Sequence, residues 1–290
     1  MDESNKGISI VIPAYNEEKA IGKQINSLQN IMDKVDFEYE IIAVNDGSTD
    51  GTLDELKKFD ITIIDSPYNR GYGASLKSGI SKSEFEYILI IDADGTYKPE
   101  YIPEMLEKMK EYDMVVGARI KKDVQIPWNK GIAKWFLRKL ASYLAGQKIP
   151  DLNSGLRVMK KSIVKNFFHV LPSGFSFTTT ITLCMICNGY LIHYSPIGYD
   201  KRIGESKIRS VDAYHFLLLI LRTIILFNPL KVFLPFGGIF FMLGFIKLIF
   251  FDIQVGDLSE TVVMGFLTAF IIWAIGLLSD QIARVSLGNS

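Results

Sequence analysis

The chain is 290 residues long, 48% of them hydrophobic, and its 32 basic and 32 acidic side chains cancel to no formal net charge. That length is ample for a sizeable core. The balanced charge gives no general attraction for nucleic acid, which is therefore not an expected partner. Met1 to Gly7 is polar and charged, so no secretory signal opens the sequence and the N-terminal part is expected in the cytosol.

Strand-like and helix-like segments alternate through the first 120 residues. Ile8–Ile12 reads as a short apolar strand, and Glu17–Ile31 has helical spacing through Ala20, Ile21, Ile25, Leu28 and Ile31. Glu40–Val44 is a second strand, followed by a helix over Gly51–Phe59 with Leu53 and Leu56 inward. Ile61–Ile64, Tyr87–Ile91 and Met114–Val116 are further strands. Tyr72–Ser81 and Pro99–Lys110 are the helices between them, the latter with proline in its first turn. This alternation predicts an α/β fold, a mostly parallel sheet with helices on both faces.

Residues 119–139 change character. Arg119, Lys121, Lys122, Lys130, Lys134, Arg138 and Lys139 face only Asp123, with Trp128, Trp135 and Phe136 interleaved. Such a stretch suits either a solvated basic face or a surface for anionic headgroups and phosphates at a membrane interface. Cys184 and Cys187 form a C-x-x-C without a second ligand pair, inside an apolar helical stretch, and read as packing thiols in a reducing compartment.

Ala213–Phe227 reads as an amphipathic helix lying in the interface. Phe233–Phe251, with the single charge Lys247 near its end, and the uncharged Thr261–Ser279 are each close to the ~20 residues that cross a bilayer. The linker Asp252–Glu260 holds acids and no Lys or Arg, which places it outside and both termini in the cytosol. The expected division is a cytosolic catalytic domain over 1–210, an interfacial helix over 211–230 and two transmembrane helices over 231–290. Two lone membrane helices leave packing between copies of the chain open.

Chemistry concentrates where strands end. Asp92-Ala93-Asp94 follows the apolar run Tyr87–Ile91, at the carboxyl end of an inner strand, where open α/β sheets bind ligands. Two hard oxygen donors there suit Mg2+ or Mn2+ shared with substrate phosphates, hence an enzyme handling a nucleoside diphosphate. The first strand ends in Val11-Ile12-Pro13-Ala14-Tyr15-Asn16-Glu17. Here proline is expected to break the strand and Asn16 to cap the next helix. Tyr15 offers a flat face for a base, and Glu17 a carboxylate for ribose hydroxyls. Asp46, after the second strand, is placed to accept from a nucleobase N–H. Ser48, Thr49 and Asp50 are helix starters. Asn69-Arg70-Gly71-Tyr72-Gly73-Ala74 opens a helix with two glycines, but it does not follow the first strand and lacks the third glycine of a dinucleotide fingerprint.

Taken in order, these segments resemble the family 2 inverting glycosyltransferases of the GT-A fold, and among them the dolichyl- and undecaprenyl-phosphate sugar transferases. The resemblance implies that Pro13, Tyr15, Asn16, Glu17, Asp46 and Ala93 hold the donor nucleotide. It further implies that Asp92 and Asp94 bind the metal and diphosphate, with Thr96 standing where relatives carry a glutamine ligand. Gly117-Ala118-Arg119 is similar to a G-S-R segment whose arginine faces the acceptor phosphate. Asp151-Leu152-Asn153-Ser154-Gly155-Leu156-Arg157 is similar to a D-x-x-S-G-F-R loop on the acceptor side, which implicates Asp151 and Ser154. Lys134 and Arg138 are further acceptor candidates. Lys201–Lys207 resembles an R-x-G-x-S-K loop that folds over the diphosphate through Arg202 and Lys207. Thr180 stands where many relatives have glutamate, so no carboxylate base is assigned there.

The implied reaction passes a sugar from a nucleoside diphosphate to a polyprenyl phosphate with inversion. Such an acceptor needs little activation, because a phosphate monoester has a second pKa of about 6. Two alternatives stay open. One is transfer to a glycan or a diacylglycerol lipid, although the Q-x-x-R-W segment of processive synthases is missing. The other is a non-catalytic membrane module that binds nucleotide sugars.

Overall fold

A computed structural model describes residues 7–120, 139, 141–143, 146–174, 176–199, 218, 221–222 and 224–288. Among the described residues seven strands form one sheet in the order β3-β2-β1-β4-β6-β5-β7. They are β1 Gly7–Ala14, β2 Glu38–Asp46, β3 Thr62–Ser66, β4 Tyr87–Ile90, β5 Met114–Ala118, β6 Arg157–Lys160 and β7 Ile192–Pro196. All neighbours run parallel except β6, which is antiparallel to both β4 and β5. The mostly parallel, two-faced sheet expected from the sequence is therefore present. The strands β6 and β7 were not expected. The first is four residues long and headed by an arginine, and the second contains His193, Ser195 and Pro196, so neither offers an apolar run.

Strand alternation builds two cores. Ile8, Ile10 and Ile12 of β1 point to one face, where α1 (Ile21–Met32), α2 (Thr52–Leu56) and α4 (Ile102–Lys108) close over them. Val11, Ile42 and Val44 point to the other, under α3 (Tyr72–Lys82), α5 (Lys161–Asn166) and α6 (Phe177–Cys187). Each fully buried Ile or Val contributes roughly 1.5–3 kcal/mol of transfer free energy. Gly79 lets α3 approach the sheet, since a Cβ there would lie 2.3 Å from Val11 Cγ1.

Three local expectations need correction. Proline does not end β1, because Pro13 and Ala14 still pair with Val44 and Asn45 of β2. Val11 O accepts from Ile91 N, so by alternation the N–H that Pro13 lacks would face β4, beyond its last ladder pair Val11 with Ile90. Asn16 does not cap α1, which starts at Ile21 after a turn closed on Glu17 O. Its side-chain oxygen instead accepts from Thr49 N at 2.8 Å. The helix expected over Pro99–Lys110 is split into a 3-10 turn, Pro99–Tyr101, and α4.

At the C-terminus α7 (Leu230–Lys247) continues through a π-helical turn at Leu248–Asp252, and α8 (Glu260–Gly288) packs back against it. The apolar stretches Leu230–Val255 and Glu260–Ala283 have mean hydropathies of 2.1 and 2.3 and are long enough to cross a bilayer. Their outward residues, among them Phe236, Leu243, Phe270, Ile271 and Leu278, are exposed. Two helices apolar all round and bare to their surroundings suit lipid, not the core of a water-soluble protein. Small residues seat one helix on the other, and Gly265 faces Gly244, with a built Cβ at 3.4 Å from its Cα. Most of the expected interfacial helix Ala213–Phe227 lies outside the described residues.

Candidate active site

β4 ends at Ile90, and Asp92, Ala93 and Asp94 follow at its carboxyl end, beside the ends of β1 and β2 that carry Tyr15 and Asp46. Asp92 is partly buried and accepts at Oδ1 from the Tyr72 hydroxyl at 2.9 Å. Burial, reinforced by the Asp92 charge, pushes the Tyr72 hydroxyl well above the ordinary tyrosine range, so it stays a donor at neutral pH. Behind Asp92 runs the backbone of Gly155, where a Cβ would lie 2.2 Å from Asp92 Oδ2.

Asp94 is 6% exposed and accepts at Oδ1 from Thr96 Oγ1 at 2.6 Å and Thr96 N at 3.1 Å. Thr96, proposed from the sequence as a metal ligand, is fully buried with its hydroxyl turned to Asp94. Its visible work is to orient that carboxylate. Among the described residues no three His, Cys, Asp or Glu side chains gather around one point. Asp92 and Asp94 thus supply two hard oxygens and no protein cage. That donor set fits Mg2+ or Mn2+ completing its shell with water and substrate phosphates.

Asp46 is nearly buried, and its two oxygens accept from Arg70 N at 2.8 Å and Gly71 N at 2.9 Å. It therefore ties the 69–71 turn to the end of β2. Each oxygen keeps a second lone pair for a nucleobase N–H. Gly47, at φ 67°, makes this closure feasible, since a Cβ would strike the Tyr68 backbone at 2.4 Å. Pro13 is buried within β1, Ala93 is buried between the two acids, and Tyr15 and Glu17 are half-buried.

On the far side, Asp151 grips Arg119 in a bidentate pair, Nε to Oδ2 at 2.7 Å and Nη2 to Oδ1 at 2.8 Å. The guanidinium also lies 5.2 Å from the centre of the Tyr199 ring. Burial pushes the Asp151 carboxyl up, but the Arg119 hydrogen bonds outweigh it and hold the group below the usual carboxylate range. The pair uses two of the arginine's five N–H donors. Ser154, expected at the acceptor, is fully buried and donates to Gly117 O, so its hydroxyl holds the loop from within. Thr180 is likewise buried and donates to Ser176 O at 2.9 Å.

Sequence reasoning missed what braces these groups. Arg157 is fully buried and donates to Ser154 O, Thr178 O and Thr182 Oγ1, pinning the 151–157 loop to α6. Tyr97 accepts from Gly155 N at 2.7 Å. The residues Arg157 and Tyr72 were visible only as motif letters. Lys134, Arg138, Arg202 and Lys207 lie outside the described residues.

An apolar cavity of about 520 Å3 opens where α6 meets the membrane hairpin, lined by Pro172, Thr180, Cys184, Arg222, Phe227 and Ile282 among others.

Comparison with known proteins agrees with this fold. The glycosyl transferase family 2 profile matches residues 9–168, and that of the GtrB C-terminal hairpin matches residues 228–285. The dolichyl-phosphate hexose transferase of Haloferax volcanii is 30% identical over 203 residues, covering 69% of this chain and 86% of the relative. The undecaprenyl-phosphate 4-deoxy-4-formamido-L-arabinose transferase of Edwardsiella ictaluri is 26% identical over 295 residues, 96% and 89% of the two chains. Glucosyl-3-phosphoglycerate synthase from Mycobacterium tuberculosis, solved with Mn2+ and UDP-glucose, shares the fold at a TM-score of 0.61 and 18% identity over 75% of this chain and 79% of that one.

Proposed function

The chain belongs to glycosyl transferase family 2, a membrane glycosyltransferase of the GT-A fold, and from that premise we propose that it passes a sugar from a nucleoside diphosphate to a polyprenyl phosphate. The observation that carries this reading is the meeting of two elements. Asp92 and Asp94 stand at a strand end suited to a diphosphate, on a domain whose α6 borders an apolar cavity at the membrane hairpin. The polyprenyl-phosphate substrates in the names of the two sugar-transferase relatives support the acceptor class.

In the proposed mechanism the nucleoside rests at the carboxyl ends of β1 and β2, with Tyr15 against the base, Glu17 at the ribose, Asp46 at a base N–H, and Pro13, Asn16 and Ala93 forming the floor. Asp92 and Asp94 would hold a divalent cation, which would supply charge neutralisation for the departing diphosphate. Arg202 and Lys207 add positive charge for the phosphates. These fixed groups act where negative charge develops, usually the largest catalytic contribution. Asp151 fixes the Arg119 guanidinium so that its remaining N–H donors meet the acceptor phosphate, and Lys134 and Arg138 are further cations proposed for that phosphate. The dianionic phosphate attacks without a strong base, in keeping with the buried Thr180. In-line attack inverts the anomeric centre. The acidic linker between α7 and α8, free of Lys and Arg, supports a cytosolic catalytic face.

Membranes containing the chain, incubated with a panel of labelled nucleotide sugars and then extracted, test the proposal. Label is expected in a polyprenyl-phosphate fraction and is expected to drop by orders of magnitude in Asp92→Asn and Asp94→Asn. Label in polymer or diacylglycerol overturns the acceptor, and unchanged transfer in both variants overturns the role of the acidic pair.

A further inference from the structure

We propose that Tyr72 is a positioning residue for Asp92, its hydroxyl fixing the plane in which that carboxylate meets a divalent cation. This rests on the metal reading of Asp92 and Asp94 above.

The side chain of an aspartate turns easily about its last bond, because that torsion is broad and two-fold. Asp92 is held from two sides. The Tyr72 hydroxyl donates to Oδ1 at 2.9 Å, and the Gly155 backbone stands against the other oxygen. The hydroxyl takes one lone pair of Oδ1. Asp94 receives the equivalent service from Thr96 Oγ1 at 2.6 Å. Each acid of the pair thus has its own O–H donor, and the two donors come from different elements.

The donor on Asp92 is itself rigidly mounted. Tyr72 is the first residue of α3, and the glycines on either side press on the 172–174 loop. A Cβ at Gly71, where φ is 99°, would lie 2.7 Å from Ser173 O, and one at Gly73 would lie 2.2 Å from Pro172 O. Ala74 N donates to Ser173 O at 3.0 Å. The first turn of α3 therefore has little room to rotate, and the ring packs against the core beneath α3 and α6. Nothing in the Asp-x-Asp motif encodes this partner, which lies 20 residues upstream. Hydrogen bonds to a ligating group from outside the coordination sphere commonly change metal affinity by 10–100-fold.

The experiment titrates Mn2+ alone into the purified full-length chain in detergent, reading unbound Mn2+ by electron paramagnetic resonance. Tyr72→Phe deletes one oxygen and keeps the ring, and thermal unfolding checks that the variant folds. It is expected to bind Mn2+ about tenfold more weakly. Sugar transfer should need correspondingly more Mn2+, yet recover near-native kcat at saturation. Unchanged affinity overturns the proposal. So does tighter binding, which would mean that the hydroxyl competes with the ion. Asp92→Asn separates this from the underlying metal reading. If Asp92→Asn loses Mn2+ while Tyr72→Phe does not, the proposal for Tyr72 alone fails. If Asp92→Asn binds as the native chain does, or the native chain takes no Mn2+, the metal reading fails and Tyr72 with it.

Discussion

Replacing Gly155 by alanine adds one methyl group behind Asp92. Its φ is not in the left-handed region, so alanine is conformationally acceptable and the perturbation is steric. The new Cβ would sit 2.2 Å from Asp92 Oδ2 and 2.5 Å from Cγ. Relief to an ordinary contact requires a shift of about 1 Å. The loop is the stiffer side. Gly155 N donates to Tyr97 Oη, Ser154 Oγ donates to Gly117 O, and Arg157 donates to Ser154 O through Nε and Nη2. Asp92 therefore moves. Overpacking costs roughly 1–3 kcal/mol, partly offset by the roughly 0.4–1 kcal/mol that Gly-to-Ala gains through the unfolded chain. The fold should survive. A 1 Å misplacement of a group that aligns the donor is worth on the order of 100-fold in rate. Sugar transfer to extracted lipid, measured with thermal unfolding of the same preparation, should show a loss of about 100-fold in kcat with a small change in Tm. Transfer within threefold of the native rate would refute the claim that Asp92 depends on a bare backbone at this position.

Further predictions come from the pair behind the acceptor side, the hairpin and the cysteines. Asp151→Asn breaks a largely buried bidentate pair and should cost roughly 2 kcal/mol at pH 7, read from urea midpoints. The carboxyl of Asp151 titrates below its usual range, so the pair's contribution is complete above the unfolded value of about 3.9 and is lost as pH falls through the depressed one. Native stability should therefore fall more steeply than that of Asp151→Asn under acid; parallel curves would contradict this. Gly244→Leu forces α7 from α8 at Gly265 and should speed amide exchange in both helices while leaving the sheet unchanged. The Cys187 thiol is pushed up to about 11 by burial, so about one in a thousand is ionised at pH 8. Its alkylation should be slow there and accelerate about tenfold per pH unit up to pH 10. Rapid labelling at pH 7 would contradict the packing role.

Much of this molecule is readable in one dimension because the signals are local. Near-continuous apolar runs in Ile8–Ile12 and Glu40–Val44 report strands with two covered faces, since side chains point to opposite sides with period two and both sets are apolar. Apolarity over Phe233–Phe251, broken only by Lys247, and over Thr261–Ser279 marks the hairpin, because crossing a bilayer demands length and hydropathy. A carboxylate pair after an apolar run locates the site, because strand ends are where backbone and side chains open to ligand. Tertiary structure decided which polar groups look outward. Ser154 and Thr96 are as polar as any ligand, yet both are buried and spent on Gly117 O and Asp94. Asp46 reads as a ligand group, and the fold shows it first holding the 69–71 turn, while Asp151 holds Arg119. β6 escaped detection because its stability comes from its neighbours β4 and β5 and from the buried Arg157, not from its own pattern. A hydrogen bond such as that from Tyr72 to Asp92 joins residues far apart in the chain, and only the packing of α3 over β1 and β2 brings donor and acceptor to 2.9 Å.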